Sequence, residues 1–211
     1  MKIQKIMFKL ILTTVMIFGI MACASSTKLV NDWSDPAFKG GPFNRILVLA
    51  VIKDDIKRRA YEQTFAERIT RNKVTGIAGN TLIENDEDYG SKPKILEAVK
   101  KSGADAVLLA HLISVKKKER EVPGRVDYMP TFGPGYGYYG YYGRAYDTVY
   151  TPGYITEDTI VKLETTVYDS KTEKMVWAGG TRSFNPGSAK KVVTENADLI
   201  VSSMEKAGLL P

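Results

Sequence analysis

Cys23 is the only thiol and His111 the only imidazole in 211 residues, so the chemistry open to this chain is narrow. Two such ligands do not make a Cys/His zinc site, and any nucleophile that needs an imidazole base has His111 alone. His111 sits in the middle of Asp105 to Val115, DAVLLAHLISV, a run with the period of a strand. Its alternation sets Val107, Leu109, His111, Ile113 and Val115 on one face and Ala106, Leu108, Ala110 and Leu112 on the other, with both faces expected to be buried. His111 therefore reads as a hydrogen-bonded structural histidine. The pair Glu157 and Asp158 offers two acids of the kind that glycosidase chemistry uses, but neighbours on a strand point to opposite faces. The acidic run Glu84 to Asp88 fails as a calcium loop. With Asp86 at position one, Asp88 and Glu97 fall at three and twelve, while Gly90 and Ser91 at five and six leave too few oxygen ligands. No catalytic, cofactor-binding or metal-ligating residue is assigned, and no cofactor is expected.

Cys23 has a different chemistry, set by what precedes it. Lys2, Lys5 and Lys9 form a positive flank, Leu10 to Met21 is an apolar run too short for a spanning helix, and Ala22 is a small residue before a cleavage point. Ile20-Met21-Ala22-Cys23 resembles the box of bacterial lipoproteins, in which a peptidase cuts between Ala22 and Cys23 and lipid is added to the sulfur and the new amino group. The resemblance implies a signal peptide over 1–22, acyl chains (palmitate among them) on Cys23, and a membrane as partner. Several chains hold firmly, since each buried methylene adds about 0.8 kcal/mol. Ala24 and Ser25, where an aspartate would resemble an inner-membrane retention signal, point to the outer membrane facing the periplasm.

Loss of the signal changes the charge. The chain has 30 Lys+Arg against 24 Asp+Glu, and the three lysines before Cys23 leave 27 against 24, or +3. Both signs are interspersed, so nucleic acid is not expected as a partner. Only Lys116, Lys117, Lys118 and Arg120 form a compact basic group, interrupted by Glu119 and Glu121, and read as a solvated strand end.

Val122 to Ile155 holds nine of the 12 tyrosines, among them Tyr136, Tyr138, Tyr139, Tyr141 and Tyr142, spaced by glycines too frequent for a helix or a regular strand. Tyrosine gives a large contact area with a hydrogen-bonding tip at low entropic cost, which marks these five as candidate partner contacts. An extended hairpin whose rings pack on one another is the alternative.

The elements that hold these groups follow from periodicity. Residues 23–43 read as a lipidated tether ending in Trp33, Phe38 and Phe43, whose rings seal the core; 44–211 reads as one α/β domain carrying the 122–155 loop. Arg45 to Ile52 is a central strand. Asp54 or Asp55 caps a helix to about Asn72 with Tyr61, Phe65 and Ile69 on its inner face. Lys73 to Ile77 is a short strand. Ser91 caps a helix with Pro93 in its first turn and Ile95, Leu96 and Val99 inward, ended by Gly103. After the strand from Asp105, Thr159 to Asp169 alternates with Val161, Leu163, Thr165 and Val167 inward. Met175 to Phe184 returns antiparallel, with Trp177 buried and Gly179-Gly180 marking a bulge or a close approach. Ser188 caps a last helix with Ala189, Val193, Ala197, Ile200 and Met204 on one stripe, stopped at Gly208. The expected fold is a mixed α/β (α+β) sandwich of two or three layers, about five strands and three helices, in the order βα(β)αβ, loop, ββα.

Asp32-Trp33 with Pro36, the strand from Arg45, Gly103-Ala104-Asp105-Ala106-Val107, Pro152-Gly153-Tyr154, and Tyr168-Asp169 with Val176-Trp177-Ala178-Gly179, taken with the box at Cys23, resemble uncharacterised bacterial lipoproteins with a small α/β domain. In broad architecture the chain is similar to periplasmic domains of lipoproteins that activate cell-wall synthases or assemble secretion pores. The expectation is a lipid-anchored envelope module that binds or scaffolds an envelope protein or peptidoglycan and is not an enzyme, with oligomeric state open. The competing classes are an envelope carbohydrate hydrolase using carboxylates and a structural subunit of an envelope assembly.

Overall fold

In the computed structural model, residues 25–71, 73–124 and 152–211 are described. They form a six-stranded mixed sheet and three helices. The strands are β1 (Thr27–Ser34), β2 (Arg45–Val51), β3 (Thr75–Ala78), β4 (Ala106–Val122), β5 (Tyr154–Asp169) and β6 (Met175–Phe184); the helices are α1 (Asp55–Thr70), α2 (Lys92–Ser102) and α3 (Ala189–Lys206). Strand order is β1-β6-β5-β4-β2-β3. β2 runs parallel to β3 and β4, and every other pairing is antiparallel.

The α/β expectation holds, and the order of elements after residue 44 is as the periodicity predicted. The lead is different. The polar stretch 23–43, read as a tether, contributes eight residues to the sheet as the edge strand β1. Its alternation is hidden in the sequence by a bulge between Leu29 and Asn31, which leaves Val30 exposed, and only one of its faces meets the core. Phe43 is buried and Phe38 lies 5.7 Å from it, centroid to centroid, as sealing residues should, whereas Trp33 is exposed.

Hydrophobic alternation along β2 builds a core on each side of the sheet. Ile46, Val48 and Ala50 join Tyr61, Phe65 and Ile69 of α1 and Val192, Ala197, Ile200 and Met204 of α3 in the larger cluster. Leu47 and Leu49 join Ala98 of α2, Val107 and Ile83 in the smaller one. Asp54 is the cap of α1, its Oδ1 accepting from the Lys57 N–H at 3.1 Å, and Ser188 Oγ caps α3 from the Lys191 N–H at 3.1 Å. Ser91 precedes α2 as expected, but its side chain makes no capping bond, and its carbonyl accepts the Ile95 N–H. Leu96 is exposed, so α2 packs through Ile95, Ala98 and Val99. Ala189 is exposed as well, because the buried stripe of α3 begins at Val192.

At Gly179-Gly180 the close approach is the one realised: the Trp177 ring, wholly buried, lies over Gly179, where a Cβ would collide with it. The bulge falls earlier, between Val167 and Tyr168 against β6. Gly103 ends α2 in the left-handed region at φ +59°, as a helix-terminating glycine does. Asp105, two residues on, accepts the Asn44 and Arg45 N–H groups at 2.8 and 2.9 Å and so fixes the start of β2 beside β4.

Candidate binding surface

The two sides of the sheet are covered unequally, and this creates the candidate surface. α1 and α3 cover one side across most of its width. On the other side α2 covers only β2, β3 and the first residues of β4. Register defines what the uncovered half presents. Trp33, Ala178, Thr166 and Leu109 form one cross-strand row, and Asn31, Gly180, Glu164 and His111 the next. Side chains of directly opposed residues lie on the same face, so these groups share one surface.

His111 is therefore not the buried histidine that the apolar run suggested. It is exposed and opposite Glu164, on the side that α2 leaves open. The expectation that both faces of this strand are buried fails for a second reason: a bulge at Ile113 interrupts the alternation, so Val115 pairs with Val161 on the helix-covered side while Ser114 pairs with Lys162 on the open one. Ile113 and Val115 are both more than half exposed.

β4 and β5 run further than the sequence suggested, to Val122 and from Tyr154. β6 accompanies β5 only as far as Ile160, opposite Phe184. Past that point Lys117–Val122 and Tyr154–Thr159 pair with each other as a projecting two-stranded arm. Glu157 and Asp158 lie in this arm and do not converge. Glu157 meets Lys117 at 2.8 Å, whereas Asp158 meets Arg120 at 3.3 Å and accepts from Asn185 Nδ2 at 2.8 Å. Two opposed acids, each with its own cation, do not have the arrangement that a two-carboxylate hydrolase needs.

A buried polar cluster at the ends of β2 and β3 escaped the reading of the sequence. Glu62 of α1 is wholly buried; its Oε1 accepts the Ala50 N–H at 3.0 Å, and its Oε2 accepts the Asn80 N–H at 2.7 Å and the Tyr89 hydroxyl at 2.8 Å. Burial pushes its carboxyl above the usual range, against these donors, which favour the charged form. Burial and the Glu62 charge push the Tyr89 hydroxyl up. The Arg58 guanidinium lies 3.9 Å from the Tyr89 ring centroid and pairs with Asp55 at 2.7 Å and with Asp86. Asp86, the centre of the acidic run, thus serves Arg58 and Arg59 as a counter-ion. The Arg58/Glu62 spacing on the inner face of α1 was the available signal, since two charges on a helix stripe with Tyr61 and Phe65 must be paired to be buried. The cluster fastens α1 to the end of β2 and to the segment after β3. Among the described residues, no group of three or more acidic, histidine or cysteine side chains is arranged to hold a metal ion.

At the opposite end of the sheet, Glu195 of α3 binds Ser26, just before β1. It accepts the Ser26 N–H and hydroxyl at 3.3 and 2.9 Å. Burial opposes its charge, but bonds from Thr27, Ser26 and Ser25 prevail and hold its carboxyl down at about 2. Ala22, Cys23 and the tyrosines Tyr136, Tyr138, Tyr139, Tyr141 and Tyr142 lie outside the described residues. No described helix is long and apolar enough to cross a membrane.

No protein-family model matches the chain, and no curated protein does. Among solved structures it is similar to a single-residue variant of the PelC dodecamer from Paraburkholderia phytofirmans, with 12% identity, a TM-score of 0.45, and coverage of 82% of this chain and 95% of that one. The PelC dodecamer in another crystal form gives 14%, 0.42, 80% and 91%. Lipoprotein GNA1162 from Neisseria meningitidis gives 15%, 0.40, 77% and 98%. At these values the likenesses assign neither ligand nor assembly to this chain.

Proposed function

We propose that this chain is a lipid-anchored module of the bacterial cell envelope that binds or scaffolds another envelope component, with acyl chains on Cys23 as its anchor. The observation that carries the reading is the sheet face left bare by α2, with Trp33 and Phe184 each nearly half exposed and no converging catalytic groups on it among the described residues. Such a surface suits contact with another large surface rather than enclosure of a small substrate. Residues 1–22 are its signal peptide and Ala22/Cys23 its cleavage point. The folded domain begins by Thr27, so the tether is only a few residues long. The outer membrane, facing the periplasm, is the location that Ala24 and Ser25 favour.

The tyrosine-rich segment is the second contact in this reading. In the sequence it lies between the two strands of the projecting arm, and Tyr136, Tyr138, Tyr139, Tyr141 and Tyr142 are its proposed contact residues. Anchoring raises the local concentration of the domain, and weak aromatic contacts then suffice. The test is fractionation followed by capture. Cys23→Ser is expected to release the domain from membranes. Deletion of residues 128–151 is expected to abolish capture by peptidoglycan or envelope proteins without changing membrane attachment. A Cys23→Ser protein that stays on the membrane rejects the anchor, and equal capture by both forms rejects the loop.

A further inference from the structure

The open face is sorted by charge in a way the linear sequence conceals. Lys28 of β1 lies opposite Arg182 of β6, Arg182 opposite Lys162 of β5, and Lys162 opposite Ser114 of β4. Opposed side chains on neighbouring antiparallel strands stand about 5 Å apart at Cβ, where like charges repel. The next row is Phe184, Ile160 and Lys116. In the arm, the two-residue period sends Lys116, Lys118 and Arg120 to this same side and Lys117, Glu119, Glu121 and Glu157 to the other, where Lys117 is paired with Glu157 and the two remaining acids leave that side acidic. The acids on the open side are Glu164 and Asp158, and Asp158 is occupied by Arg120 and Asn185. Among the described residues Arg120 alone of the six cations on the open side has a carboxylate within 4 Å.

We propose that this basic row is a docking surface for the anionic phospholipid headgroups of the membrane that holds the protein. The inference rests on the lipid-anchor reading of Cys23. Three residues separate Cys23 from Thr27, a reach of at most about 14 Å, so the acyl chains enter the bilayer within that distance of the start of β1, where Lys28 is the first cation of the row. An anionic plane relieves the repulsion among Lys28, Arg182 and Lys162, and Phe184 and Trp33 supply exposed rings suited to a headgroup layer. The acidic side of the arm is repelled, so only one orientation is attracted. α2 stands on the same side over β2 and β3, which limits contact to the half of the sheet nearest the anchor.

Trp33 reports the contact, because it lies on the open face while Trp177 is wholly buried. The lipidated full-length protein is placed in vesicles of phosphatidylcholine alone or with phosphatidylglycerol added, and acrylamide quenching of tryptophan is measured. Quenching of Trp33 is expected to fall severalfold in the anionic vesicles only, and to return in about 1 M salt, where screening acts within about 3 Å. The triple variant K28E/K162E/R182E, with unchanged thermal melting, is expected to behave in anionic vesicles as the parent does in neutral ones. E119K/E121K, on the other side of the arm, is expected to retain protection. Equal quenching in both vesicle types at low salt overturns the proposal, as does protection by soluble polyglutamate but not by anionic vesicles, which assigns the row to an acidic polymer. Mass spectrometry of the peptide bearing Cys23 tests the anchor separately. If that cysteine carries no acyl chain, co-sedimentation of the same protein with preformed anionic vesicles still tests the row. Each basic residue at such a surface is worth roughly fivefold in affinity, so the loss expected for K28Q/K162Q/R182Q is roughly a hundredfold, and no loss overturns the proposal.

Discussion

At the scale of single residues, two glutamates show how position decides what a carboxylate does. Glu62 is deep, bonded to two backbone N–H groups and a phenol, and its burial raises its pKa. Glu195 is near the surface, and hydroxyl and N–H donors of Thr27, Ser26 and Ser25, at the entry to β1, pull its pKa down to about 2. A folded-state pKa below the unfolded value near 4.5 means that the Glu195 contribution is complete above pH 4.5 and is lost as pH falls toward 2. The melting temperature of Glu195→Gln is therefore expected to lie below that of the parent at pH 6 and to approach it between pH 4.5 and 2. A difference that is the same at both ends of this range rules out the charged bond as the cause. His111 carries the opposite lesson, because a residue read as buried from its apolar neighbours is exposed once the covering helix stops short of it.

At the scale of elements, strands and helices with strong periodicity were legible. β2, β6, α1 and α3 lie where alternation or a four-residue stripe put them, and β5 does so from Thr159 onward, since each buries one regular face. β1 was not legible, because an edge strand with a bulge and one buried side leaves a broken pattern among polar residues. The far part of β4 was legible only as a solvated strand end at Lys116 to Arg120, and the strand runs on to Val122. The short β3 was found despite Gly76, and the structure gives that glycine its reason. α1 passes so close that a Cβ at residue 76 would overlap the Ala66 backbone carbonyl. Backbone cannot yield as the end of a flexible side chain does, so Gly76→Ala is expected to cost about 1–3 kcal/mol in urea denaturation. A cost near zero would mean that α1 is free to lift from β3.

At the scale of the whole molecule, β2 is the common wall of two cores. Its odd and even residues serve opposite sides, so neither helix layer can unpack without exposing the strand that supports the other. Unfolding followed by the fluorescence of buried Trp177 is therefore expected to coincide with loss of helix followed by far-ultraviolet circular dichroism. Two separated transitions would show that the α2 layer melts alone. The candidate surface belongs to this scale as well, since it exists because α1 and α3 cover most of one face while α2 covers only part of the other.

By itself the sequence determined the mixed α/β class and the order of the main elements, because each depends on a short period along the chain. It also showed basic and acidic residues interspersed, and on that count no charged face was expected. Only the tertiary structure sorted them. The pleat alternates side chains along one strand, and pairing then aligns Lys28 with Arg182 and Lys162, both more than a hundred residues away from it. Charge along a chain is one-dimensional, whereas a sheet face samples every second residue of several strands in register, and that register is fixed by packing at a distance.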